Sequence, residues 1–475
     1  MNTNNLVGQE RAEINVVVER LRREIGSASV YTDTATIDRY SHDAWPVSVL
    51  QDQLGEHPHR PDVVVMADSP LAVSTALRIA KESATPLTPR GLGSSVTGQA
   101  LPTRGGIVLD LVNLVGEPEL DELNQTVSAP AGVRGSDLEA WLAERGYTMN
   151  FFPQSLTRSS IGGWVATRAT GQLSSKYGGI ESAIVSYDVI LSDSTACTVE
   201  QKPRAAVGPD LRQLFLGSEG TFGIVTRIAM KVYRRAEASI SEAWVLSDVV
   251  SGTDAMREIY QAGIRPALMR FYDDSETQHA VRGDSVTGCA LFLTHDGLAS
   301  LAAAEHEASR EIVIAHGGKS LGSEPVESWY RRRFDFSTVE KLLAEPGGYA
   351  ETIEVAHLWS GIVPLYEGLV EALAPYADEV LGHFSHVYTQ GASLYVILLG
   401  KAEDNVEASR RLDVIWRVAM ETTTRLGGEL SHHHGAGLAR QDFISQNLGA
   451  QHELIARLKK ALDPSGILNP GHLGL

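Results

Sequence analysis

The stretch "TPRGLGSSVTGQA", Thr88–Ala100, places Gly91, Gly93, Ser94, Ser95 and Gly98 in one short loop. Glycine has no Cβ, so the backbone can turn left-handed and approach a ligand closely. Successive N–H groups in such a turn make a concavity that attracts anions. The spacing is neither the G-x-G-x-x-G of a dinucleotide fold nor the G-x-x-x-x-G-K-[ST] of a P-loop. A Gly/Ser loop alone also fits an ordinary turn, so its surroundings decide.

On its N-terminal side, "PDVVVMA" reads as a buried strand and "SPLAVSTALRIAKESA" as a helix capped by Ser69. "TPLTPRG" is the strand that enters the loop. "GGIVLDLVNL" is the next strand, and "TVSAPAGVRGSDLEAWLAERGY" is strand, turn and helix. This alternation predicts an α/β layer structure. Earlier still, Ile14, Val17, Val18 and Leu21 recur at helical spacing over residues 9–27. Residues 184–233 hold the β runs "IVSYDVILSD", "TACTVEQ" and "GIVTRIAMKVY", with "LRQLFLGSEGTFG" between them as a helix ending in a Gly-rich turn. The grammar restarts near 238. "ISEAWVLS", "PALMRFYD" and "GCALFLTHDG" are strands; "SGTDAMREIYQAG" and "LASLAAAEHEASREIVIAHGG" are helices. A second domain is expected there, ending near 425, with the last 50 residues returning to the first.

Two further segments share the loop's texture. "PQSLTRSSIGGWVATRATGQLSSKYGGIESAIVSYDVIL", Pro153–Leu191, is a long small-residue loop that needs a partner to order it. The other is "GSEGTFGIVT", Gly217–Thr226. Together the three resemble the FAD-binding domain of the vanillyl-alcohol oxidase type, the PCMH-type fold. The segments "GGWVATRATG", "GSEGTFGIV" and "LSHHHGAG" are similar to "GGW-x-[AS]-TRASG", "GSEGTLGV" and "LSHHHGVG" of the alkylglycerone-phosphate synthases. "LKKALDPSGILNPG" resembles the closing segment of FAD-linked oxidases. The resemblance covers nearly the whole chain. It implies an α+β protein: a two-subdomain PCMH-type FAD-binding domain plus an α/β substrate (cap) domain with an antiparallel sheet. The expected divisions are an N-terminal helical segment (1–56), the FAD domain (57–236), the cap (237–425) and a C-terminal segment returning to the FAD domain (426–475).

By this resemblance, Pro89, Arg90, Gly91, Leu92, Gly93, Ser94 and Ser95 carry the FAD pyrophosphate on backbone N–H groups. Ser155, Ser160, Gly162, Gly163, Thr167 and Gly171 line the flavin and its ribityl chain. Gly220, Gly223, Ile224 and Val225 hold the adenine end. The loop has no His or Cys near Arg90–Gly93, so noncovalent FAD is expected. Trp164 reads as a core aromatic in preference to a flavin contact.

Composition narrows the partners. The formal net charge is −18, which repels phosphate backbones, so neither nucleic acid nor anionic membrane is expected. Cys197 and Cys289 are the two cysteines, which argues against a disulfide framework and fits a reducing compartment. No secretory signal is visible in "MNTNNLVGQERAEI", no terminal address in "GHLGL", and no apolar run approaches the roughly 18 residues of a membrane span. A cytoplasmic enzyme with a small-molecule substrate is expected; a homodimer stays open.

The resemblance also locates a reaction centre. Tyr395, in "GASLYVIL", matches the synthases' catalytic tyrosine. His432, His433 and His434 match their histidine run, and Arg270, in "LMRFYDD", an active-site arginine. Two positions depart. Phe151 stands where the synthases have a histidine, which removes a candidate proton acceptor. Counting back from Glu354 to their phosphate-binding arginine lands on Glu340, although a one-residue slip would bring Lys341 there. Unit charges about 4 Å apart interact by about 4 kcal/mol at an effective dielectric of ~20, so a reversed sign would disfavour a phosphate. A different substrate is therefore expected. On an extended strand, His432 and His434 would point to one face and His433 to the other. FAD-linked D-2-hydroxyacid dehydrogenases are similar in fold and hold a divalent metal. His383 with His433 could bind Zn²⁺ in that manner, but their "GDGN" segment is absent here, and the preferred site is metal-free. Arg270 is expected to orient an acidic substrate, or else to pair with Asp273 or Asp274. The leading reading is an FAD-dependent oxidoreductase (oxidase or dehydrogenase) taking a hydride from a small hydroxyl- or carboxylate-bearing substrate. The alternative is a synthase-like transferase using FAD without net redox change.

Overall fold

The structure, a computed structural model, describes residues 3–200, 202–281 and 286–475, with side chains from residue 13 onward. Met1 and Asn2 of the N-terminal stretch and Gln201 at the end of "TACTVEQ" lie outside the described residues.

The Gly/Ser loop leaves the edge of a four-stranded sheet ordered Val30–Tyr31, Val63–Met66, Ile107–Asp110, Leu87–Arg90. The last three strands are parallel. Helix Pro70–Glu82 covers the sheet and is capped as read, with the Ser69 side chain accepting from the Ala72 N–H. A second, antiparallel sheet runs Glu119–Asp121, Thr126–Pro130, Ile224–Lys231, Ile184–Ile190, Ala196–Glu200. Ile190 and Ile224 join the two sheets through one apolar core that also contains Ile467 and Leu468.

Two expectations are corrected. Pro153–Leu191 is not one long loop: it forms helices Ile161–Thr167, Ser174–Tyr177 and Ile180–Ala183 and then a strand. Ser160 starts the first by accepting from the Gly163 N–H. The helix read in "LRQLFLGSEGTFG" is only Arg212–Phe215, because the glycines that follow break it.

The rest forms a seven-stranded antiparallel sheet, ordered Lys319–Gly322, Ala238–Leu246, Cys289–Gly297, Leu268–Tyr272, Glu379–Ser385, Gly391–Lys401, Gly348–Leu358. Side chains alternate between its faces. One face packs Phe271, Phe384, Leu394 and Ile353 against helices Val249–Gln261, Trp359–Leu373 and Asn405–Arg425. Each such apolar side chain contributes about 1.5–3 kcal/mol on full burial. Gly252 sets the first helix down on the Phe271 ring, since a Cβ there would lie 1.9 Å from it. The other face turns toward the FAD-loop domain. There Lys176 and Tyr177 bond Asp296, both at 2.9 Å, and Leu173 enters the sheet's second apolar core.

Candidate active site

Strand register builds the site. Glu354 pairs with Tyr395, Tyr395 with His383, and His383 with Tyr272, so these four residues cross four strands in one row. Directly opposed residues of antiparallel strands share a face. Arg270, two residues before Tyr272, joins them. His383 stacks on Tyr395, ring centroids 4.4 Å apart. Its Nδ1 bonds Glu276 at 2.8 Å and its Nε2 the Arg270 guanidinium at 2.8 Å. Burial, aided by the Arg270 charge, pushes the His383 pKa down to about 4.

The histidine run is not a strand. Beyond the single bridge Ala356–Glu429 the chain bends around the Glu354 carboxylate. The backbone N–H groups of His432, His433 and His434 donate to it at 2.5, 2.8 and 3.2 Å, and the Ser431 hydroxyl at 3.0 Å. Three successive N–H groups converging on an anion form a nest. Burial alone would raise the Glu354 pKa, but His433, His434 and Arg440 outweigh it and hold the pKa well below the ordinary value. Turned this way, His433 reaches the Tyr395 hydroxyl through Nε2, at 2.5 Å. Burial, with Glu354 close by, holds the Tyr395 pKa well above its ordinary value. The His434 ring lies edge-on to Tyr395, centroids 5.7 Å apart, with its Nδ1 3.9 Å from Glu354 and without a hydrogen-bond partner, while its carbonyl accepts from Gln99.

Ligand atoms of Glu354, His432 and His433 cluster within 4.8 Å, a spacing that could hold a metal ion. Each Glu354 oxygen already accepts two donors, and all four ring nitrogens of the two histidines are hydrogen-bonded. His383 is not in this cluster, and both its nitrogens are engaged. The pairing of His383 with His433 on one ion therefore has no free lone pair on the His383 side.

Arg270 bonds neither aspartate. Asp273 caps helix Asp274–Ala280 and accepts from Tyr366, while Asp274 accepts from the Gly288 N–H. No carboxylate oxygen lies within ion-pair distance of Arg270 among the described residues; Tyr272 and His383 hold it in place. It lines a cavity of about 210 Å³ with Arg332, Arg333, Trp329 and Gln172. Glu340 does not line it: its carboxylate is at the surface, 2.5 Å from Arg158. Phe151 is buried against Trp164, and Trp164 is itself core, its indole N–H bonded to Ser159.

The Gly/Ser loop suits an anionic cofactor. Among the described residues, none of the backbone N–H groups from Gly91 to Ser95 finds an acceptor. Unpaired N–H groups on a half-buried loop call for an external acceptor. Gly93 has φ +65 and backs onto the Arg90 guanidinium, where a Cβ would lie 2.3 Å from Nη2. One Arg90 nitrogen is buried without a partner. A Cβ on Gly91 would meet the Ser160 hydroxyl at 2.6 Å, and one on Gly220, φ +73, would meet Pro89 at 2.3 Å. Three of the sequence segments thus converge. Gly162, Gly163 and Thr167 lie half-buried on the same side, and Gly171 abuts the Phe151–Phe152 backbone. The other predicted residues point inward. Ser155 bonds Ser159, Gly223 packs on Val189, Ile224 is in the core, and Val225 packs against the second sheet's core. Leu92, Ser94 and Ser95 remain half-buried in the loop.

Sequence reasoning missed Glu219, which is buried and joins three segments. It accepts from Gln99 at 3.0 Å, Ala436 at 2.7 Å and Gly437 at 3.1 Å. It missed Tyr388, placed His386 only near His383 and gave it no role, though both touch His432, and used Glu354 only as a counting mark. The donors to Glu354 lie on one bend, Ser431–His434, 77 to 80 residues further along the chain, so no local signal announced the pairing.

The comparisons address the fold and the cofactor. Residues 61–200 match the family model "FAD binding domain", and residues 235–473 match "FAD linked oxidases, C-terminal domain". Fold and site thus define a flavoprotein whose cofactor is FAD. The chain belongs to the FAD-linked oxidase family. It is 30% identical over 474 residues to an uncharacterized FAD-linked oxidoreductase, YgcU, of Escherichia coli O157:H7, covering 96% of this chain and 97% of the relative. It is 24% identical to the alkyldihydroxyacetonephosphate synthase of Dictyostelium discoideum, covering 90% and 75%. Among solved structures, p-cresol methylhydroxylase with substrate bound superposes with TM-score 0.83 at 16% identity, covering 98% and 97%. An alkyldihydroxyacetonephosphate synthase gives 0.78 at 22%, covering 95% and 84%. The PCMH-type fold and the FAD cofactor expected from sequence are both borne out. No helix among the described residues is long and apolar enough to cross a membrane.

Proposed function

We propose that this chain oxidises a small hydroxyl-bearing acid, releasing a hydride from carbon and a proton from oxygen as a carbonyl forms. The observation that carries the reading is the 2.5 Å contact between the Tyr395 hydroxyl and His433 Nε2, beside an Arg270 with no carboxylate partner. FAD, when bound, supplies the two-electron acceptor. Gly91–Ser95 would bind its pyrophosphate on their free N–H groups. Arg270, fixed by Tyr272 and His383, would take the substrate carboxylate through its planar fork. Tyr395 and His433 would accept the hydroxyl proton. His383 would stay neutral and hold Arg270. The site would work without a metal.

A second reading, a transferase without net redox change, is favoured by one observation. Arg270, Arg332 and Arg333 line one cavity, where they outnumber its two carboxylates, Glu276 and Asp335. The two separate cleanly. The holoenzyme is mixed anaerobically with a panel of hydroxy acids, alcohols and amines. Bleaching of the oxidised flavin absorption by a hydroxy acid supports oxidation. An oxidised spectrum that persists while acyl is exchanged for alkyl chain on a dihydroxyacetone-phosphate ester supports transfer.

A further inference from the structure

Beyond Tyr395 the hydrogen bonds continue. The Tyr395 hydroxyl meets His433 Nε2 at 2.5 Å, and His433 Nδ1 meets His432 Nδ1 at 2.8 Å. His432 Nε2 then meets the Tyr388 hydroxyl at 2.6 Å. Two imidazole nitrogens this close share a single proton, because one must donate and the other accept. The chain therefore has two self-consistent polarities, each the reverse of the other.

Its ends differ. Tyr395 is buried in the row with Glu354 and His383. Tyr388 is only half-buried, next to exposed Thr389 and Gln390. The Tyr388 phenol also feels the charges of Glu181 and Arg168, an ion pair whose arginine is 57% exposed. The middle is held rigidly. Glu354 fixes the backbone of both histidines and lies 3.3 Å from His433 Nδ1, where it favours a proton in transit. His386 stacks on His432 at 5.1 Å and is anchored to the Ser174 hydroxyl at 2.7 Å.

We infer that Tyr395, His433, His432 and Tyr388 form a proton wire carrying the substrate proton from the buried site to the protein surface. The inference rests on the reading of Tyr395 and His433 as the proton acceptors. In one passage a proton reaches the Tyr395 oxygen, and the Tyr395 proton moves to His433 Nε2. The Nδ1 proton of His433 crosses to His432, whose Nε2 proton passes to Tyr388, and the Tyr388 proton leaves. One proton enters, one leaves, and no charge remains. His432 and Tyr388 are relay residues and touch no substrate.

The test needs no substrate, so it can fail or succeed independently of the oxidation reading. In FAD-loaded protein labelled with ¹⁵N-histidine, long-range proton–nitrogen spectra report which ring nitrogens carry protons. Of the His432 and His433 Nδ1 atoms, one and only one should be protonated. Two bare or two protonated Nδ1 atoms would overturn the wire, and this measurement requires no variant. The solvent-exchange rate of that shared proton is then compared in wild type and Tyr388→Phe. The wire expects exchange to slow by roughly a hundredfold, the lower end of what a positioned proton-transfer group contributes. An unchanged rate would show that protons reach the site by another route.

Discussion

The Arg440 guanidinium lies 3.5 Å from the Glu354 carboxylate, and neither side chain has any solvent exposure. Arg440 also donates to the carbonyls of Leu430, Gly435 and Glu354, so it clamps both ends of the histidine bend to the sheet. Removing one partner of a buried pair strands the other and typically costs 3–5 kcal/mol. Glu354→Gln should therefore lower unfolding stability by about 3–5 kcal/mol in urea titrations. A variant as stable as wild type would show that the nest does not depend on the negative charge.

Tyr395→Phe and His433→Ala should each slow flavin reduction by about 10²–10⁴-fold while FAD content is unchanged. Stopped-flow reduction with the best substrate from the anaerobic panel measures this. Chelators should leave the rate alone. Loss of activity to chelator with recovery on adding Zn²⁺ would reassign the histidines to a metal.

FAD should leave the protein intact on acid precipitation. The loop from Arg90 to Gly93 offers no nucleophilic side chain, and on the proposed reading its N–H groups would hold the pyrophosphate by hydrogen bonds alone. Yellow colour retained in the washed pellet would establish a covalent link instead.

Gly93→Ala should purify largely without FAD. Its φ is +65, which strains any L side chain, and its Cβ would collide with the buried Arg90 guanidinium, so the loop or that guanidinium behind it must shift. The ratio of 450 nm to 280 nm absorbance reports the loss; a wild-type ratio would count against the cradle.

Glu351 gives a pH signature. Burial raises its pKa to about 8, with Trp416 donating to it at 2.8 Å. Its folded pKa exceeds its unfolded value, so its contribution is full at low pH and is lost as pH rises toward 8. Glu351→Gln mimics the neutral carboxyl. Its stability relative to wild type should climb between about pH 4.5 and 8, by at most about 1.4 kcal/mol per pH unit. Melting temperatures across that window check this; a constant gap would mean that Glu351 titrates normally.

The FAD-type fold was legible because its signal is local: glycines and small residues on one loop mark where the backbone turns left-handed and leaves its N–H groups unpaired. Ser69 and the helix it caps were legible for the same reason. The proton site was not. His432, His433 and His434 stood out in the sequence, but their bend is set by Glu354, 78 to 80 residues away. A period-two strand reading had no access to that carboxylate. Tyr395 and Arg270 came from the resemblance alone. Tyr388 and His386 carry no local mark, since a Tyr or His in a strand end is ordinary core chemistry. Arg270 was offered the wrong partners because opposite charge favoured Asp273 and Asp274, whereas its own strand face supplied Tyr272 and the neighbouring strand His383.

The strand that enters the cofactor loop is completed from the far end of the chain. The Leu87 N–H donates to Ile467 and the Asn469 N–H to Leu87, both at 2.8 Å, and the Asn469 side chain bonds Gln99, 370 residues away. During synthesis the loop therefore emerges from the ribosome long before its buttress exists. At 5–20 residues per second that interval is roughly 20 to 75 s. Throughout it, Leu87 and its apolar neighbours lack their final cover. Cofactor capture on the nascent chain must wait until Ile467 and Asn469 have been made, and a ribosome stalled before them would hold a polypeptide with an unfinished cradle.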